Sequence, residues 1–541
     1  MDTPATESAL KKNRKWFLIG FTIINLLLSS YFLDIWITPN AASRAITVLT
    51  LYEDKSLIID KYKDFAGDFS VVNGHYYANK APLSSFFIYP FYLAYKAANL
   101  PEMKDTTIKK YPIYIWESTG MLDGRAFLLP KISTLLFMGD ILCGIIPFVI
   151  ALLLTLMAIK NTGTSLSPVL LVMLSFYASF LFAYAGTYTG HLLSGIFALS
   201  GYILIKQKKF LLSGLLVGLA IATEFPVGIL FPIWALLIFL NEKKISKPLL
   251  FTLGIIPGII IVAIYNYHIT GSYTTTPYSY EVHQQKQSSG DIGFYFPKLS
   301  SLWGLVFSTY RGLLFYTPAV ILMCWYIIRL NYKNPAGLFG SKKGIFLSII
   351  KNYLFITVIA YLVLYSAYYM WWGGWAYGPR YLIPMVLILL YEGVIYLSKV
   401  KISLVMKCVF YFITIAGMLC VWMDKSTKIY MLHDFPEDYA TMNLDPSQLK
   451  LISDYKNPVK GIIIPDFMKH KFNANTLPTL AFDVSPGLSV YLWMVLFILG
   501  ITGLTLWYNK LYPPDVIKLA KPASGNPVKP QKAKGNSKPK N

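Results

Sequence analysis

Acids, a histidine and a lysine crowd one polar stretch of an otherwise apolar chain. Between residues 60 and 82 stand Asp60, Asp64, Asp68, His75, Tyr76, Tyr77 and Lys80. Such groups cannot sit in hydrocarbon; at a membrane edge they mark ligand binding or catalysis, or equally a solvated loop whose charges do nothing. A carboxylate here could act as general base on a hydroxyl acceptor, with Asp60 and Asp68 the candidates; Asp68 follows Gly67, which suits a turn that presents a side chain. Either acid could instead cap a helix or form a turn.

Other odd polar residues recur between apolar runs. Arg380 stands where WWGGWAYGP meets the next apolar segment, and its guanidinium matches a phosphate bidentately. A snorkelling interfacial arginine is the plainer alternative. Lys80 and Arg44 are further candidates for the phosphate. Glu224 precedes Phe225-Pro226 in an apolar hairpin, where an acid is costly unless paired or wet. His191, beside GTYTG, reads equally as a hydrogen-bonding site residue or a packed interfacial histidine. Trp371, Trp372 and Trp375 with Gly373, Gly374 and Gly378 suggest a shaped pocket floor on which a sugar could stack, or an aromatic belt. His75 and Tyr77 complete the substrate-binding set. Asp140, inside a span, reads as structural. The carboxylates and His75 permit a divalent cation but have no diagnostic metal spacing, and no P-loop, HExxH, dinucleotide motif or nucleophile elbow occurs.

The elements that position these residues are transmembrane helices. With 541 residues, 55% hydrophobic and 14% charged, the chain is not a soluble globular protein. Runs of 17 to 25 apolar residues recur, each able to cross about 30 Å of hydrocarbon. Spans are expected near 16–38, 131–158, 166–187, 189–206, 210–224, 226–241, 248–268, 310–330, 346–368, 380–398, 402–423 and 488–508. The net charge of +22 lies mostly in short loops and the tail, so it speaks for membrane lipid and topology rather than nucleic acid. The first apolar run is too long for a cleaved signal and should anchor the chain. Cys143, Cys324, Cys408 and Cys420 fall in apolar segments and read as buried small residues.

The positive-inside rule orders these pieces. Residues 1–15 form a basic cytoplasmic tail ending in KKNRK, and 16–423 form the bundle. Its first outer loop, 39–130, contains a helix at 82–100 that lies on the interface rather than crossing; crossing would turn most basic loops outward. Residues 424–487 make an outer loop or small lid, 488–508 the last span, and 509–541 a Pro/Lys-rich disordered cytoplasmic tail. About twelve spans then run through the plasma membrane with both termini inside, and the odd polar residues share the outer face.

NGHYYANKAP followed by an aromatic apolar helix, then GTYTGH, ATEFP, RGLLFYTP and WWGGWAYGPRYLIP, resembles bacterial integral-membrane glycosyltransferases of GT-C architecture. This superfamily includes the dolichyl-phosphate-mannose–protein mannosyltransferases and the lipid A aminoarabinose transferases. The likeness covers about residues 16–400. It implies an all-α bundle with interfacial helices in the first outer loop. It also implies inverting transfer of a sugar from a polyprenyl-phosphate donor to a glycolipid, polysaccharide or protein acceptor. A first-loop acid would be the base. Lys80 matches the family's lysine before proline, and Arg380 the arginine of GPRYL. Many relatives carry an acid pair just after the first span; here that place reads PNAASRA, with Asn40, so the base moves to Asp60 or Asp68, or Asp34 serves. A transporter or flippase of lipid-linked saccharides is the alternative from another class; it would require inverted repeats and a polar transmembrane path, neither of which is found. A membrane scaffold without catalysis is a third.

Overall fold

A computed structural model describes residues 4–33, 38–103, 113–117, 120–126, 129–159, 165–281, 293–333, 351–374, 376–427, 464–470, 472 and 476–512. Apolar runs become helices because only a helix satisfies its own backbone groups without water. Among the described residues six are long and apolar enough to cross a membrane: Pro130–Ile159 (α4), Phe225–Glu242, Ser246–Thr270 (α8), Arg380–Ser398 (α12), Leu404–Thr427 (α13) and Pro486–Leu511 (α14). Before them come Pro4–Ser30 (α1), Pro39–Glu53 (α2) and Leu83–Ala97 (α3). Shorter apolar helices fill the bundle: Pro168–Tyr177 (α5), Gly190–Lys206 (α6), Phe210–Thr223 (α7) and Tyr353–Ser366 (α11), with Leu299–Val306 (α9) and Ala319–Lys333 (α10) between them.

Several boundaries differ from expectation for identifiable reasons. The run 166–187 stops at Tyr177, turns through Ala178–Phe180 and resumes only over Leu181–Tyr184. The run 310–330 breaks before Pro318, whose ring and missing N–H end a helix. Helix α1 begins at Pro4 and so takes in most of the expected tail. Helix α13 continues to Thr427, which buries Asp424 and Lys425 instead of releasing them into an outer loop; the Lys425 ammonium donates to the Ala185 carbonyl. Of the expected lid, two short helices are described, Ile464–Met468 and Leu477–Phe482. Residues 513–541, the greater part of the expected tail, lie outside the described residues. The four cysteines are free; Cys143 is buried as expected, whereas Cys324 and Cys420 are half-buried and Cys408 is exposed.

Helix α3 is 15 residues long, about 22 Å at 1.5 Å per residue. Helices α7 and α8 interlock through glycine: a Cβ on Gly214 would stand 1.9 Å from the Phe251 carbonyl oxygen, and one on Gly258 2.1 Å from that of Gly218. Small residues of this kind let backbones meet where no hydrophobic effect drives helices together. Indole donors bridge helices inside the core: Trp493 Nε1 gives to the Leu28 carbonyl at 2.9 Å and Trp234 Nε1 to Thr357 Oγ1 at 2.8 Å.

The first loop also holds strands absent from the sequence reading. β1 (Phe69–Val72) and β2 (His75–Ala78) pair antiparallel, Phe69 opposite Ala78 and Val72 opposite His75. Their turn is Asn73-Gly74, both at positive φ (52° and 83°), the two-residue geometry that follows strand twist. A second hairpin joins β3 (Ile113–Glu117) to β4 (Gly120–Ala126).

Candidate functional site

The ends of several helices meet at one side of the bundle. Helices α6 and α12 present their N-termini there, α7 and α8 their C-termini, and the first hairpin joins them through α2 and the loop after α8. The hairpin register places two site residues. Because Phe69 pairs with Ala78, Asp68 and Lys80 leave the open end of the ladder together, and Asp68 Oδ2 lies 3.0 Å from Lys80 Nζ. Gly67 makes this approach possible: its φ is +68° and a Cβ would meet Pro39 at 2.8 Å. The Ser43 hydroxyl of α2 donates to the Ala66 carbonyl at 3.1 Å and to that of Asp68, pinning the turn. Lys80 Nζ also donates to Tyr278 Oη at 3.2 Å. Burial alone would lower the Lys80 pKa, but Asp68, Tyr278 and Glu281 outweigh it and raise it above the ordinary lysine value.

Arg44 joins the first loop to the bundle. It is 1% exposed on α2, capped at its start by Thr38. Its Nε donates to Asn40 Oδ1 at 2.9 Å, its Nη1 to the Ala81 carbonyl at 3.3 Å and to the Ser84 hydroxyl, and its Nη2 to Glu224 Oε1 at 2.8 Å. Asn40 is the acceptor one turn before the arginine. Glu224 ends α7 with extended backbone and is 19% exposed. It fits against the N-terminus of α6 only because residue 190 is glycine: a Cβ there would stand 2.3 Å from Glu224 Oε1 and 3.0 Å from Arg44 Nη2. That helix end also favours a carboxylate electrostatically.

His191 follows at once. Its Nδ1 lies 3.6 Å from Glu224 Oε1, its ring stands between Tyr184 and Tyr381, and it is 7% exposed. Its Nε2 has no hydrogen-bond partner among the described residues. Glu224, Arg380, Arg44 and Lys80 all lie close enough to act on it electrostatically.

Arg380 opens α12, its guanidinium carbon 5.3 Å from the Tyr381 ring centre. Gly373, at φ +80°, lies against it; a Cβ would reach Arg380 Cγ at 3.1 Å. Among the described residues no carboxylate is within ion-pair distance of Arg380, and its Nε has no hydrogen-bond partner. The loop that carries it is held by Arg311, buried, which donates to the carbonyls of Trp372 and Gly374 at 3.0 Å each and of Tyr310 at 3.1 Å.

Lys80, Asp68, Arg44, Glu224, His191 and Arg380 therefore form one cluster. Asp60, His75 and Tyr77 do not join it. Asp60 Oδ2 lies 2.8 Å from His75 Nδ1 and Asp60 Oδ1 accepts from the Tyr76 amide at 2.7 Å, with the two side chains 41% and 52% exposed. Tyr77 packs beside Val72, Tyr265 and Ile269. Trp372 is buried edge-on to Trp371, whose ring abuts Gly304, so neither forms an open floor. Trp375 and Asp34 lie outside the described residues. Among the described residues no three His, Cys, Asp or Glu side chains gather as a metal site. Sequence reasoning missed Gly190, Tyr381 and the scaffolding part of Arg311; the glycine-histidine pair at a helix start was the readable trace of the first.

Long apolar helices around a buried polar cluster at one side define a helical, membrane-embedded protein. No family model, curated protein or solved structure matches the chain.

Proposed function

We propose that the protein is a membrane glycosyltransferase that moves a sugar from a polyprenyl-phosphate donor to a glycolipid, polysaccharide or protein acceptor. The reading keeps a GT-C-like bundle of about twelve spans in the plasma membrane, both termini cytoplasmic and the site on the outer face. The observation that carries it is Arg380: a guanidinium without an ion pair among the described residues, grouped with Lys80, Arg44 and His191 at the ends of membrane helices. A phosphate attached to a lipid would enter such a place from the side, and positive charge there stabilises the phosphate as a leaving group. The acceptor hydroxyl attacks the anomeric carbon opposite the phosphate and loses its proton to a base on the same face. Of the two first-loop acids, Asp68 is the one within the cluster, and it takes part as that base or as the counter-ion of Lys80.

The test uses the full-length protein in lipid nanodiscs with labelled polyprenyl-phosphate sugars and cell-envelope membranes as acceptor source. Release of polyprenyl phosphate with label in the acceptor supports the reading. Arg380→Ala should raise the apparent donor KM at least tenfold and Asp68→Asn should cut transfer strongly, while Asp60→Asn stays within twofold of wild type. No release from any donor refutes the proposal; movement of intact donor across the bilayer favours a flippase.

A further inference from the structure

Two groups in the cluster could take the acceptor's proton, and the geometry points to His191, oriented by Glu224, as the general base; this rests on the transferase reading. Asp68 is the less suited of the two. Its carboxylate is 3.0 Å from the Lys80 ammonium, so it is already engaged in an ion pair. His191 is placed the other way round. The carboxylate facing Nδ1 selects the tautomer with the proton on Nδ1, which leaves Nε2 with its lone pair. That nitrogen is buried and has no partner among the described residues, as a group awaiting a substrate hydroxyl should be.

The surroundings fit the same role. Arg44 binds Glu224 Oε1 at 2.8 Å and fixes the carboxylate, while Gly190 leaves it room beside the histidine. The 3.6 Å separation of Nδ1 and Oε1 is long for a hydrogen bond, as such pairs often are without substrate. His191 and Arg380 flank the same Tyr381 ring, so a phosphate on Arg380 would bring the anomeric carbon near Nε2. The charged and titratable groups around the imidazole are Glu224, Arg44, Arg380 and Lys80, with the Tyr184 and Tyr381 rings near-perpendicular to it.

In the step itself the acceptor oxygen bonds to the anomeric carbon as its proton passes to Nε2. The carbon–oxygen bond to phosphate breaks, and its electron pair stays on the phosphate oxygen. The products are the glycoside, polyprenyl phosphate and an imidazolium opposite Glu224. The proton later returns to water.

The experiment measures transfer from labelled polyprenyl-phosphate sugar by wild type, His191→Gln, His191→Ala and Glu224→Gln, each first shown to be monodisperse. His191→Gln should lower kcat by about a hundredfold or more with donor KM within threefold. Added imidazole should restore part of the rate of His191→Ala, a result that a purely structural histidine would not produce. Glu224→Gln should fall between wild type and His191→Gln. Transfer by wild type that persists in His191→Gln, or no imidazole rescue alongside an equally large loss in donor affinity, overturns the base and leaves the transferase standing. No transfer by wild type from any donor overturns both.

Discussion

Replacing Arg44 by methionine, alone and with Glu224→Gln, tests whether the ion pair between the first loop and the bundle has the energetics its burial dictates. Arg44 is 1% exposed and gives hydrogen bonds to Asn40, Ala81, Ser84 and Glu224. Methionine fills part of the volume but leaves the Glu224 carboxylate without its guanidinium. Removing one member of a buried pair costs about 3–5 kcal/mol, most of it the stranded charge. Glu224 keeps 19% of its surface in contact with solvent, which places the expected loss near the lower end, about 3 kcal/mol. Glu224→Gln keeps an acceptor for the arginine and should cost about 1–2 kcal/mol. The double variant strands no charge, so its loss should fall short of the sum by about 2 kcal/mol. Equilibrium unfolding in mixed micelles, followed by tryptophan fluorescence, reads all three. Additivity within about 0.5 kcal/mol would show that the two side chains do not interact and would remove the link that brings the first loop to His191.

Two further perturbations test other parts of the fold. Gly258→Leu forces a side chain into the 2.1 Å gap to the Gly218 carbonyl and should cost at least about 2 kcal/mol by overpacking; Gly503→Leu, where a Cβ meets nothing within 4 Å, should change the melting temperature little, and equal effects at the two sites would contradict the close packing of α7 on α8. Partial burial alone would raise the Glu53 pKa, but hydrogen bonds from Lys131, Lys61 and Tyr62 outweigh it and take it from 4.5 to about 2. The folded value lies below the unfolded one, so this network adds stability above pH 4.5 that disappears as pH falls toward 2; Glu53→Gln should flatten that acid limb, and an unchanged pH profile of unfolding would count against the network.

How much of the site was legible follows from the kind of information each residue needs. Arg44, Lys80, His191, Glu224 and Arg380 stood out singly, because polar groups among apolar runs are costly unless paired or used. Choosing between Asp60 and Asp68 required a register. The Asn73-Gly74 turn sets it, pairing Phe69 with Ala78, so that Asp68 emerges beside Lys80 while His75 sits at the turn, where Asp60 reaches it. That turn was readable, since Asn-Gly favours positive φ at both positions; what it implied for acids outside the strands was a step further. The helices behaved similarly: apolar runs announced where they are, and Pro318 marked one break, but nothing local marked the turn at Ala178–Phe180.

Gly190 shows why the remainder was hidden. A glycine before a histidine at a helix start reads as an ordinary terminus until Glu224, 34 positions later, is known to press against it. Hydropathy is a property of one segment, and it sorts segments into spans without saying which ends meet. The contacts that make a polar residue useful in a membrane belong to pairs of segments: Arg44 with Glu224, Asp68 with Lys80, Arg311 with the backbone of the Trp372–Gly374 turn. Each of those pairs satisfies charges or carbonyls that would otherwise be unaffordable in an apolar setting. Among the described residues, Nε2 of His191 and Nε of Arg380 are two buried nitrogens that keep no partner once those pairs are drawn, and they become visible only by subtraction.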